Sequence, residues 1–82
     1  MAPAAARQRV LDVSALPPPE PLVRVLAELE TLRPGEYLCM RHRREPCLLY
    51  PRLLALGFDY RTRPGAHTAY EILIWRRGEE AP

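Results

Sequence analysis

The stretch LDVSALPPPEPLVRVLAELETLRPGE, residues 11–36, decides how this chain folds. A short apolar run ends inside it, four prolines surround one glutamate, and a new apolar period begins. Leu22, Val25, Leu26, Leu29 and Leu32 recur at spacings of three and four, which lines one face of a helix over about residues 19–32. Proline suits the start of such a helix, where a missing N–H leaves no bond unmade. The RPGE at 33–36 stops it and turns the chain.

Upstream, QRVLDV at 8–13 is a first strand ending before Ser14. Downstream, EYLCMRH at 36–42 alternates, with Leu38 and Met40 on one face and Tyr37, Cys39 and Arg41 on the other. RREPCLLYPRLLALGF at 43–58 predicts a second helix through Leu49, Leu53 and Leu56, capped at Gly57. Pro51 interrupts it, so a first turn from Pro46 is expected to stand apart, with the regular helix beginning near Pro51. FDYRTR at 58–63 and AYEILIWRR at 69–77 are two more strands, joined by PGAHT.

The order β-α-β-α-β-β predicts a two-layer α/β (α+β) sandwich, a four-stranded mixed sheet with two helices on one face. One domain over 8–78 is expected, with a flexible tail at 1–7 and a short tail at 79–82. Leu22, Leu26, Leu29, Leu38, Met40, Leu53, Ile72 and Ile74 are its expected core.

At 82 residues the chain has room for one modest core. No apolar run reaches the roughly 18–20 residues of a membrane span, and MAPAAARQR lacks a signal core, so a soluble, cytoplasmic protein is expected. Two cysteines fit a reducing compartment better than a disulfide framework. Twelve arginines against ten acids give a net charge of +2, too mild to point to nucleic acid.

The element order, with LPPPEP entering the first helix and L-x-PGE leaving it, resembles the small sulfur-carrier family that includes TusA and SirA, from Leu11 to about Arg77. That family carries Cys-Pro-x-Pro in the loop. Here Pro19, Glu20 and Pro21 match the last three positions, and Pro18 stands where the cysteine would be. PPPEP, HRREP and LLYPRLLALGF resemble more closely an uncharacterised branch, a domain of unknown function in which that cysteine is generally missing. The resemblance implies a scaffold without sulfur transfer at this loop, and accessory association with redox, metal or nitrogen-oxide proteins such as hemerythrin-like domains.

The chemistry agrees with that implication. A cysteine at a helix N-terminus becomes a reactive thiolate because the dipole and free N–H groups stabilise its charge. Proline carries no such group. Pro18, Pro19 and Pro21 also lack N–H donors and Glu20 adds negative charge, so the loop makes a poor phosphate or persulfide cradle. The motif loop Pro18, Pro19, Glu20, Pro21 is read as a rigid helix start or a partner-facing surface.

Arg41, His42, Arg43, Arg44 and Glu45 form the candidate binding segment, since they sit where a strand ends before a helix. Arginine offers a permanent charge and a fork that matches carboxylates and phosphates. A solvated turn is the plain alternative. Cys39, His42, Cys47 and His67 are enough soft ligands for zinc, yet there is no C-x₂-C pair and Cys39 and His42 fall on opposite strand faces, so no metal site is assigned. No nucleophile, base and acid stand at suggestive spacing, and no glycine-rich phosphate loop occurs. The expectation is a non-catalytic accessory or interaction module with a protein partner, no cofactor and no membrane. The alternatives are a sulfur carrier using Cys47, which follows Pro46 in a first helical turn, or Cys39, and a small-anion or metal-binding module.

Overall fold

The computed structural model of the protein describes residues 7–82. Its elements are β1 (Arg7–Asp12), α1 (Glu20–Glu30), β2 (Glu36–His42), α2 (Leu49–Ala55), β3 (Phe58–Pro64) and β4 (Tyr70–Arg76). They form one four-stranded mixed sheet in the order β1-β2-β4-β3. β1 runs parallel to β2, and β4 lies antiparallel to both β2 and β3. The order β-α-β-α-β-β is the expected one. Residues 1–6 of the expected tail lie outside the described residues, and Arg7 already pairs with Glu36 in β1.

The register fixes which side chains share a face. Opposite β2, Leu38 meets Ile74 and Met40 meets Ile72. These four are fully buried with Val25 and Leu29 of α1 and Leu49 and Leu53 of α2, so both helices cover that one face. Burial of such aliphatic groups, worth about 1.5–3 kcal/mol each, is the main stabilising term in so small a domain. The helical stripe of α1 is rotated from its expected centre: Pro21, Val25 and Leu29 are buried, whereas Leu22 and Leu26 pack against the core from its edge. Spacing alone gives Leu22 and Leu26 the same standing as Leu29, because five apolar positions span more than the face that the sheet covers.

α1 starts without a side-chain cap, with Pro21 in its first turn, and Thr31 and Leu32 close it by short backbone bonds to Glu28 and Leu29. α2 begins at Leu49 rather than near Pro51. Pro51 is then its third residue, where a helix has no acceptor for the N–H, so the ring costs no bond. Gly57 follows α2 at φ +90°, a backbone that turns the chain into β3 and disfavours any side chain with a Cβ.

Candidate binding cleft

A cleft of about 330 Å³ opens at the C-terminal end of β2. Its floor is Met40 and His42, adjacent positions on the helix-covered face of that strand. One wall is the proline loop with the start of α1, namely Pro18, Pro19, Pro21 and Leu22; the other is the turn from Arg44 to Leu49. The two segments conspicuous in the sequence therefore face each other across one space. The Pro18–Pro19 peptide is cis.

The turn is held by local bonds and one long-range clamp. Cys47 N–H donates to the Glu45 carbonyl and Leu49 N–H to that of Pro46, which sets Cys47 two residues ahead of α2 rather than in its first turn. Tyr50 lies flat on Tyr60, with ring centroids 4.2 Å apart. Its hydroxyl bonds Thr62 Oγ1 at 2.6 Å and donates to Glu45 at 3.1 Å. Burial pushes the Tyr50 phenol up to about 12; the Thr62 bond opposes the rise and the Glu45 bond adds to it. α2 is thus pinned to β3, and the acid at the cleft rim is pinned to α2.

The structure divides the expected binding segment. His42 is only 9% exposed in the floor, its Nδ1 enclosed without a hydrogen-bond partner. Burial lowers its pKa first, and the charges of Arg43 and Arg44 lower it further. Arg44 and Glu45 line the cleft and are exposed; Arg43 is exposed but outside the lining. Arg41 turns to the opposite face of the sheet, where its Nε lies 3.4 Å from Glu71. A strand alternates its side chains, so four consecutive basic residues cannot form one surface while the first two belong to β2. Of the motif loop, Pro18, Pro19 and Pro21 line the cleft, while Glu20 is exposed beside it.

Both cysteines are free and lie in different surroundings. Cys39 is buried on the face away from the helices, and burial pushes its thiol pKa up. Cys47 is exposed and lines the cleft. Among the described residues no three histidine, cysteine, aspartate or glutamate side chains converge on a point that could hold a metal.

The cleft also uses residues that the sequence marked only as core or not at all: Leu22, Met40, Leu48 and Leu49. One signal was available. His42 extends the alternation Leu38, Met40 by one step, which turns it inward with them. Among the described residues no helix is long and apolar enough to cross a membrane.

No curated protein and no solved structure matches the chain at a significant level. A family model does, over residues 10–76, and that span takes in the second half of β1, every later element, the proline loop and both walls of the cleft. The chain belongs to the family described as an uncharacterized conserved protein, DUF2249.

Proposed function

We propose that the protein is a non-catalytic accessory or interaction module on a scaffold like that of the TusA and SirA sulfur carriers, and that its working surface is the cleft. The observation that carries the proposal is that the proline loop and the Arg44–Leu49 turn wall one apolar space. An apolar cleft with a few polar groups is the usual form of a ligand-binding site. The element order and the proline loop ahead of α1 support the sulfur-carrier likeness, and Pro18 in the cysteine's place supports the loss of its chemistry. The resemblance suggests the partner class, a redox, metal or nitrogen-oxide protein. Two free thiols fit a cytoplasmic, reducing location.

One observation favours a second reading. Cys47 is exposed in the same cleft, so a carrier role would fall to it rather than to buried Cys39. The two readings separate in a single assay. After incubation with a cysteine desulfurase and cysteine, the intact mass is expected to gain no sulfur atom. The immobilised chain is expected to retain a host protein that Arg44→Glu combined with Leu48→Asp releases. A persulfide on Cys47 that disappears in Cys47→Ser would replace the interaction reading with the carrier one.

A further inference from the structure

The cleft contains more than an apolar groove requires. His42 is nine-tenths buried in its floor, and the enclosed Nδ1 has no partner. Nδ1 is shut off from solvent, but the ring itself lines the open volume, so its remaining edge is what a group entering the cleft would meet. Arg44 stands at the rim and forms no ion pair among the described residues. Glu45, the acid of the lining, accepts the Tyr50 hydroxyl. Pro18, Pro19 and Pro21 present no N–H groups, so that wall cannot cradle a phosphate. The volume of about 330 Å³ is at the lower end of the roughly 300–1,000 Å³ found for small-molecule sites.

We infer that the cleft binds a small organic carboxylate, its apolar body among Leu22, Met40, Leu49 and the prolines, and its carboxylate between the Arg44 guanidinium and the His42 ring. The inference rests on the reading of the cleft as the working surface. A planar carboxylate matches the guanidinium fork, and one arginine suits one negative charge. His42 is only 9% exposed, so little of the ring is open to a flat protein surface, which favours a small molecule.

A bound carboxylate also changes the field at His42. The charged and titratable groups around the ring are Asp12 at the end of β1, Arg43, Arg44 and Glu45 in the turn, and Tyr70 opposite it on β4. Burial first and the two arginines second oppose protonation of the ring, and a bound anion offsets the arginines. Binding therefore raises the pKa of His42, and affinity rises as pH falls through that raised value towards the free one.

The experiment is a titration of the nitrogen-15-labelled full chain with sodium octanoate, alongside octanol, which lacks the charge, and inorganic phosphate, which lacks the apolar body. Octanoate is expected to give saturable shifts at Leu22, Met40, His42 and Leu49, with octanol and phosphate at least tenfold weaker. Arg44→Ala is expected to weaken octanoate about tenfold, and the His42 ring protons are expected to titrate at higher pH in its presence. Because Arg44 is exposed, that variant should fold even where His42→Asn does not. No saturable octanoate shift, equal binding of octanol or phosphate, or an indifferent Arg44→Ala would overturn the inference. If octanoate fails while Arg44→Glu with Leu48→Asp still releases a captured host protein, only the carboxylate is lost; if both fail, the cleft is not the working surface.

Discussion

On one face of the sheet Leu38, Met40, Ile72 and Ile74 are buried beneath α1 and α2; on the other, Cys39, Leu73 and Glu71 are buried with no helix above them among the described residues. The second face is sealed by long side chains. Arg63 lies 3.0 Å and Arg41 3.4 Å from the Glu71 carboxylate, and the Arg61 guanidinium sits 5.9 Å from the centre of the Trp75 ring. The stems of such arginines cover apolar surface while their heads reach water. Arg41, Arg61 and Arg63 are therefore structural cover on this face. What remains near the cleft is Arg43 and Arg44, together with a histidine that shares its face with the aliphatic core.

The largest effects should distinguish the two faces. Leu38→Ala, under the helices, is expected to cost about 3–5 kcal/mol, because fixed helices leave a cavity unfilled. Leu73→Ala, under movable arginine stems that can settle into the gap, is expected to cost about 2 kcal/mol. Denaturant unfolding measures both, and equal costs would show that the arginine cover is as rigid as the helices. Next in size, Glu71→Gln removes the charge that anchors two arginines. With Arg63 half exposed and Arg41 a quarter exposed, solvent recovers part of the loss, so about 1–2 kcal/mol is expected.

A smaller effect belongs to His42. Its folded pKa is below the ordinary value of 6.5, so the unfolded chain binds the proton first. Stability is then full above about pH 6.5 and declines as pH falls from there towards the folded pKa. Asp12 and Glu36, whose carboxylates are held down chiefly by hydrogen bonds from Ser14 and from the Arg33 backbone, lose their contribution only at lower pH. Unfolding curves at pH 7.5 and 5.5 should thus differ in the wild type and differ less in His42→Asn. A slope that persists unchanged in the variant would assign the effect elsewhere.

The elements were legible because each carries its own period: three and four in α1, two in β2 and β4. The walls of the cleft were legible as segments, since prolines and arginines stand out in any reading. Their meeting was not. It depends on β1 and β2 being parallel neighbours, which brings the loop after β1 beside the turn after β2, and strand order is a long-range property. The split of Arg41 from Arg44 was available from alternation, but a run of four basic residues draws attention to charge rather than to direction. The tie between Tyr50, Tyr60 and Thr62 has no local signal, because it joins a helix to the strand beyond it.

Blocking the cleft from within tests most directly whether it is the working surface. Cys47 lines it and is exposed, whereas Cys39 is buried, so N-ethylmaleimide should modify the native chain at Cys47 alone. The alkylated protein is expected to keep its unfolding midpoint and lose capture of its host partner, while Cys47→Ser treated with the same reagent keeps both. Undiminished capture by the protein alkylated at Cys47 would contradict the assignment of function to the cleft.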